Sequence, residues 1–188
     1  MSEATGIHIQ DLTAGDESAI QQVAMLLIEG FRDHWPEAWP TLEEAVQEVP
    51  DSFEEGRISR IARDENEVIL GWIGGQPTYG AVWELHPMVV RTDQQRRGIG
   101  RLLVADLEQI VRERGGLTLM LGTDDEDGMT SLSGVDLYDN LWHHIAHIQN
   151  LKGHPYEFYQ KLGYTIIGVV PDANGLGKPD ILMAKRLA

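Results

Sequence analysis

The sequence contains no cysteine, and its 15 Lys and Arg residues are outnumbered by 30 Asp and Glu residues. The absence of cysteine excludes disulfides, thiolate metal ligands and a cysteine nucleophile. The formal net charge of −15 disfavours nucleic acid and anionic membranes as partners, because like charges repel. A surface of this sign instead attracts a small cationic molecule.

Long apolar runs are also missing, since no stretch approaches the roughly 18–20 residues that cross a bilayer. The start at Met1-Ser2-Glu3 lacks the basic and then apolar pattern of an export signal, so we expect a cytoplasmic protein. The length of 188 residues suits one domain with a substantial core. No repeat or linker divides the chain, and we predict a single domain over residues 1–188.

The spacing of apolar residues predicts an α/β fold with a mixed sheet and helices on its faces. Strand patterns occupy residues 7–9, 58–64, 68–73, 81–90, 117–121, 165–170 and 181–185. Helical patterns occupy residues 17–31, 98–114, 137–149 and 155–162, and a capping box at Thr41 and Glu44 predicts one more helix. Residues 74–77, with two glycines and a proline, predict a turn between two strands.

The most informative segment is a basic loop that follows the apolar residues Met88, Val89 and Val90 and leads into a helix. Its glycines let the backbone approach a ligand, and the first turn of a helix offers unpaired N–H groups and a positive dipole end. Such a loop binds phosphate, here a pyrophosphate, with charge-assisted contacts from arginine. The arginines are Arg96, Arg97 and Arg101. Glycine spacing alone fits a turn with a solvated basic patch equally well.

A family resemblance separates these two interpretations. Residues 95–100, Gln-Arg-Arg-Gly-Ile-Gly, match the Q-x-x-G-x-G loop of the GNAT superfamily of acetyl-CoA-dependent N-acetyltransferases. The preceding strand, the following helix and a late Tyr159 to Tyr164 motif fall in the same order as in that superfamily. The resemblance implies a mixed, mostly antiparallel twisted sheet of about six or seven strands with helices on both faces. Residues 84–90, 121–126, 137–140 and 153–159 further resemble bacterial aminoglycoside 6'-N-acetyltransferases.

The resemblance implies acetyl-CoA as cosubstrate, without a metal. The pantetheine arm would lie along the strand at Met88, Val89 and Val90, and the loop would hold the pyrophosphate. The loop residues so assigned are Gln95, Arg96, Arg97, Gly98, Ile99, Gly100 and Arg101. Relatives often carry an asparagine seven residues before the tyrosine of the late motif, where this chain has Lys152. We expect Asn150 to take that cofactor-binding place.

Acyl transfer to an amine requires a base that takes a proton from the amine. Glu84 and His86 lie two residues apart on one predicted strand, so their side chains share a face, and both match positions of family bases. The choice between them stays open. Tyr159, four residues before Gly163, matches the general acid of the family. Each residue also has a structural alternative. Glu84 could fix an arginine, His86 could be a core histidine, and Tyr159 could be a packed aromatic residue.

The connection over about 122–152 is longer than is usual in the family and rich in acids, so we predict that it binds a cationic acceptor. The predicted acceptor residues are Asp124, Asp125, Glu126, Asp136 and Asp139, with Trp35 and Trp39 as aromatic walls. A solvated surface loop is the alternative. The resemblance implies acetylation of a primary amine, with the 6'-amino group of an aminoglycoside as the leading acceptor. The alternative functions are acetylation of another amine (a polyamine, metabolite or peptide N-terminus) and a non-catalytic CoA-binding module. The sequence does not decide whether the chain forms a homodimer.

Overall fold

The computed structural model describes residues 6–32, 39 and 41–188, which form two compact units. One unit ends at Leu117 and the other spans Thr118–Ala188. The first contains β1 (Ile7–Asp11), α1 (Glu17–Phe31), α2 (Leu42–Asp51), β2 (Ile58–Asp64), β3 (Ile69–Pro77), β4 (Val82–Val90), a 3-10 turn (Thr92–Gln94) and α3 (Ile99–Glu113). The second contains β5 (Thr118–Asp124), α4 (Leu141–Ala146), α5 (Tyr156–Lys161), β6 (Thr165–Val170) and β7 (Asp180–Arg186).

In the first unit, β1 to β4 pair in chain order and every pair is antiparallel. Consecutive residues of β3 face opposite sides of this sheet. Trp72 belongs to the apolar cluster formed with α1 and α2, and its indole N–H donates to the hydroxyl of Ser59 at 2.9 Å. Gly71 instead lies against Leu103 of α3, so helices cover both faces of this sheet.

Side-chain caps begin both N-terminal helices, and the cap of α2 is the one that the sequence predicts. The Asp16 carboxylate accepts from the Ala19 amide at 2.9 Å at the start of α1. At the start of α2, Thr41 and Glu44 form the predicted capping box, in which each side chain bonds the other residue's backbone N–H. These bonds satisfy amides that the first turn of a helix otherwise leaves unpaired.

The predicted turn at residues 74–77 is wrong, because these residues continue β3. The glycines serve close packing rather than chain reversal. A side chain at Gly74 would collide with the carbonyl of His86, and a Cβ at Gly75 would lie 2.6 Å from Leu107 of α3. The chain reverses after Pro77 instead, over residues 78–81.

In the second unit the strand order is β5-β7-β6, and both neighbouring pairs are antiparallel. β5 extends to Asp124, beyond the predicted end at residue 121. The predicted helix over 137–149 is reduced to α4. Asp136 accepts from the Tyr138 amide at 3.0 Å, and Asn140 adopts a left-handed conformation with φ 63°. Both features favour a turn over helix, so α4 begins only at Leu141.

The predicted α/β fold with about six or seven mostly antiparallel strands is confirmed by the seven strands of the described residues. No helix in the described part of the chain has the length and apolar character that a bilayer crossing requires.

Candidate active site

The basic loop between β4 and α3 leaves the N-terminal end of α3 open. Gly98 is the N-cap and has a φ of 89°, a left-handed conformation that favours glycine. A Cβ built there would meet nothing within 4 Å. No side chain caps this helix and no acidic residue lies in its first turn, so its leading N–H groups have no capping side chain.

Polar contacts hold the loop against the end of β4. The Gln95 amide donates to the Val90 carbonyl at 3.4 Å, and the Arg97 guanidinium donates to the Gln94 side chain. Arg91 forms two 2.9 Å hydrogen bonds with Asp93, and this contact holds the pKa of the Asp93 carboxyl below its ordinary value. Gln95 therefore contacts the backbone of the strand that precedes the loop.

The loop fits an anionic pyrophosphate. Its three arginines (Arg96, Arg97 and Arg101) are exposed, and they flank the open end of a 15-residue helix. The positive end of the helix dipole, unpaired backbone N–H groups and arginine fork donors are the groups that bind phosphate in proteins. The buried Ile99, at 1 % exposure, anchors the first turn in the core.

A β-bulge interrupts the pairing of β4 with β3 beside the predicted base residues. Met88 pairs with Ile73 and Leu85 pairs with Gly75, so His86 and Pro87 together face Gly74 alone. Such a bulge bends a strand and redirects its side chains. On β4, Val89 is buried at 5 % exposure, whereas Met88 and Val90 are partly exposed.

The two predicted bases lie in different surroundings. Glu84 is half-buried and accepts a hydrogen bond from the Gln76 amide at 2.9 Å. This contact is with an amide and not with the arginine that the structural alternative supposed. His86 is exposed, so it is not the core histidine of the other alternative. It lines a shallow, open depression with Gln76 and the α2 acids Glu48 and Asp51.

In the second unit, Tyr159 lies on α5 and is 6 % exposed. Its ring contacts Phe158 and Tyr164 edge-on, at centroid distances of 5.0 and 5.7 Å. Burial raises the pKa of the Tyr159 phenol well above its ordinary value, because the charged form is poorly solvated there. The phenol therefore keeps its proton through the neutral range, and its function as a general acid remains a prediction.

Asp125 is fully buried and contacts the chain that follows it. One carboxylate oxygen accepts from the Met129 amide at 2.6 Å. The other accepts from the amide and hydroxyl of Thr130, at 2.8 and 2.7 Å. These contacts satisfy the buried carboxylate within its own loop. The acceptor-binding function of Asp125 remains a prediction.

Asn150 is likewise engaged with its own loop. Its amide donates to the His154 carbonyl at 2.9 Å and its oxygen accepts from the His154 N–H at 2.7 Å. The His154 ring is buried and bonds the Asp124 carbonyl at 3.0 Å. The structure thus places Asn150 in a clamp around His154, and its cofactor-binding function remains a prediction.

Asp124 and Glu126 remain partly exposed at the end of β5. Asp124 accepts from the Asn174 amide at 2.5 Å, and Glu126 forms a 3.5 Å ion pair with Lys178. Asp180, which the sequence analysis did not identify, lies directly opposite Asp124 in the pairing of β5 with β7. We call Asp124, Glu126 and Asp180 the strand-end acids.

The remaining acceptor candidates are not brought together with the strand-end acids by any described contact. Asp136 and Asp139 are exposed, and Asp136 bonds the Tyr138 amide. In the first unit, Trp39 packs edge-on against Phe31 at 5.1 Å and its indole N–H donates to Glu48 at 3.4 Å. Trp35 lies outside the described residues.

Sequence reasoning missed Asp180 and Gln76. Both are strand partners of predicted site residues, and strand register depends on long-range pairing that a local pattern does not specify. A group of three His, Asp or Glu side chains that could hold a metal is not found among the residues that the structure describes.

The chain belongs to the acetyltransferase (GNAT) family, whose model matches residues 22–132. The matched residues include the bulged strand β4, the basic loop and α3. The chain is therefore an acetyl-CoA-dependent N-acetyltransferase, as the resemblance implies, and its acceptor is an amine.

Three solved structures extend this result. An aminoglycoside 6'-N-acetyltransferase in complex with coenzyme A shares 43% identity and a TM-score of 0.88, covering 96% of this chain and 97% of that one. The enzyme of that name from Enterococcus faecium shares 41% identity and a TM-score of 0.85, with the same coverage. A type Ii aminoglycoside 6'-acetyltransferase shares 35% identity and a TM-score of 0.72 over 96% and 97% of the chains. Comparison with curated proteins gave no match.

Proposed function

We propose that the protein acetylates the 6'-amino group of an aminoglycoside with acetyl-CoA. The observation that carries this proposal is the 43% identity, over nearly the full length of both chains, to an aminoglycoside 6'-N-acetyltransferase. The acidity of the chain agrees with an acceptor that carries several ammonium groups.

In this proposal, the basic loop and the N-terminus of α3 bind the pyrophosphate of acetyl-CoA, and β4 at Met88 to Val90 lies beside its pantetheine arm. Bound there, acetyl-CoA supplies an activated acetyl thioester. Gly98 leaves room for the phosphate to approach the backbone, and Arg96, Arg97 and Arg101 neutralise its charge. Much of the rate enhancement comes from positioning and electrostatic stabilisation.

Glu84 is the preferred base, because its half-buried carboxylate is already held by a neutral donor. It accepts a proton from the acceptor ammonium, directly or through one water, so that a neutral amine can attack. His86, exposed two residues further along β4, is the other candidate. The buried phenol of Tyr159 holds the proton that a departing sulfur takes up.

The strand-end acids supply the acceptor contacts in the second unit. Asp124 and Asp180 concentrate negative charge at one pair of opposed positions, and a bound ammonium would offset their repulsion. Asp136 and Asp139 lie on the exposed surface of the same connection and add to its negative potential. Asp125 is not included, because its carboxylate is committed to Met129 and Thr130.

The test is a CoA-release assay over separate amine classes: kanamycin, spermidine and a peptide with a free N-terminus. We expect kanamycin to give a kcat/KM at least tenfold above that of spermidine. The acetylated position should be the 6'-amine, read by mass spectrometry and NMR. Faster turnover of spermidine or the peptide would reject the aminoglycoside acceptor, and no turnover of any amine would reject catalysis.

Location and assembly complete the proposal. We infer a cytoplasmic enzyme that acts on a free small molecule without nucleic acid or membrane, because its charge repels both polyanions. We further infer a homodimer, in line with the frequency of dimers in the superfamily. Light scattering of the purified protein, with and without acetyl-CoA, measures the assembly state directly.

A further inference from the structure

Gln76 on β3 and Glu84 on β4 are direct cross-strand partners. The Gln76 side-chain amide donates to Glu84 Oε2 at 2.9 Å, and both side chains are half-buried. Side chains directly opposite on paired strands lie close enough for a persistent contact. The hydrogen bond thus follows from the register of the two strands.

The backbone around Gln76 has little freedom to move. The preceding residue, Gly75, already lies against Leu107 of α3, where even an added Cβ would come within 2.6 Å of the leucine side chain. The following residue, Pro77, pairs with the buried Trp83. The amide of Gln76 is therefore presented to Glu84 from a fixed point on the sheet.

We propose that Gln76 is a positioning residue for the acetyl transfer: its amide holds one carboxylate oxygen of Glu84 and leaves the other to accept the proton of the amine. This inference rests on Glu84 being the base of the proposed function. An amide suits the task because it orients a carboxylate without adding a positive charge. An arginine at this position would bind both oxygens and stabilise the charged form.

Other ionisable groups line the depression that Gln76 borders. They are His86 on β4, Glu48 and Asp51 on α2, and Arg57. Arg57 pairs with Glu54 at 2.7 Å, and Glu48 accepts from Trp39.

The first experiment is a double-mutant cycle of Gln76→Leu and Glu84→Gln, with kcat and both KM values measured for kanamycin and acetyl-CoA. We expect Gln76→Leu to lower kcat about tenfold to a hundredfold with an unchanged KM for acetyl-CoA. In the Glu84→Gln background the same substitution should have no further effect. An equal loss in both backgrounds, or no loss in the wild type, overturns the proposal.

Gln109→Leu is the matched control, because Gln109 donates to Glu113 at the same 2.9 Å distance on the exposed surface of α3. It should leave kcat unchanged. A Glu84→Gln variant with full activity overturns the base assignment and this inference together. The wild-type assay still decides separately whether an aminoglycoside is acetylated, so the two failures are distinguishable.

Gln76→Glu gives a readout that a purely structural role would not change. Glutamate keeps the size and shape of the side chain, but it replaces the N–H donor by a carboxylate directly opposite Glu84. We expect kcat to fall at least as far as in Gln76→Leu while the KM for acetyl-CoA stays unchanged. Wild-type kcat in Gln76→Glu overturns the proposal, provided that thermal melting shows both proteins folded.

Discussion

Asp124 and Asp180 lie directly opposite each other at the end of the β5–β7 pair. Like charges at such positions destabilise a sheet. Two local features accommodate them: the Asn174 amide donates to Asp124, and Gly122 leaves room for Asp180, whose Oδ2 would lie 2.5 Å from a Cβ at residue 122. The chain therefore keeps a concentrated negative charge at this strand end.

Asp180→Asn should weaken the binding of a polycationic acceptor. We expect the KM for kanamycin to rise several-fold at low salt while the KM for acetyl-CoA stays the same, because one attractive charge is lost. Steady-state kinetics at 20 and 300 mM salt would measure this, and the difference should shrink at the higher salt as screening increases. Glu55→Gln, an exposed acid of the first unit, serves as the control with the same charge change. Equal effects of the two substitutions would contradict a specific acceptor contact.

Gly98→Asp should abolish CoA binding. Aspartate is strained at a φ of 89°, and its carboxylate would enter the open space above the α3 N-terminus where the pyrophosphate is expected. Calorimetric titration with CoA measures the loss. Gly115→Asp is the matched control, since Gly115 has a φ of 80° and equally open surroundings beyond the other end of α3. Retained affinity in Gly98→Asp would mean that the cofactor binds elsewhere.

Tyr159→Phe should lower kcat by about a hundredfold while CoA affinity changes little, because general acid catalysis typically contributes 10² or more. Burial raises the pKa of the phenol, so it stays protonated throughout an assay range of pH 6–9. Any alkaline loss of wild-type activity in that range should therefore also appear in the phenylalanine variant. Tyr138→Phe, which alters an exposed tyrosine, is expected to leave the rate unchanged.

Asp125→Ala should destabilise the protein without a direct effect on acceptor binding. Removal of the carboxylate leaves the buried amide and hydroxyl of Thr130 without this acceptor, at a cost of about 1–3 kcal/mol for each unsatisfied group. Urea unfolding would measure the lower free energy of unfolding. If stability is unchanged but the kanamycin KM increases, Asp125 binds the acceptor after all.

Asp16→Ala should lower the free energy of unfolding by about 1 kcal/mol at pH 7, through loss of the α1 cap. The hydrogen bond from the Ala19 amide, followed by that from Arg63, holds the pKa of the Asp16 carboxyl below its ordinary value. A lowered folded-state pKa means that the stabilisation is complete above the unfolded-state value near 4 and is lost as the pH falls through the folded-state value. Urea titrations at pH 7 and pH 3 should show the difference between the proteins shrinking. Asp51→Ala, at the last residue of α2, should show no such loss.

Much of the fold could be predicted from the sequence because its signals are local. The helical spacing over residues 17–31, the capping box at Thr41 and the amphipathic pattern of α3 predict helices that the structure contains. The prediction at residues 74–77 was wrong because Gly74 and Gly75 are selected by tertiary packing against β4 and α3, whereas glycine in a local window indicates a turn. The helix predicted over 137–149 was too long, because the turn at Asp136 and the left-handed Asn140 precede α4.

For the candidate site, the sequence alone determined which functional groups are present. They are a basic loop with glycine at the helix start, Glu84 and His86 on one strand, Tyr159, and an acidic connection. These groups can be recognised from the sequence because the residues of each motif are close together in the chain. Only the tertiary structure decided which acid faces which partner. Strand register brought Asp180 to Asp124 and Gln76 to Glu84, and burial turned Asp125 inward to Thr130. These contacts join residues from different elements, and their energies depend on the packing of the whole sheet.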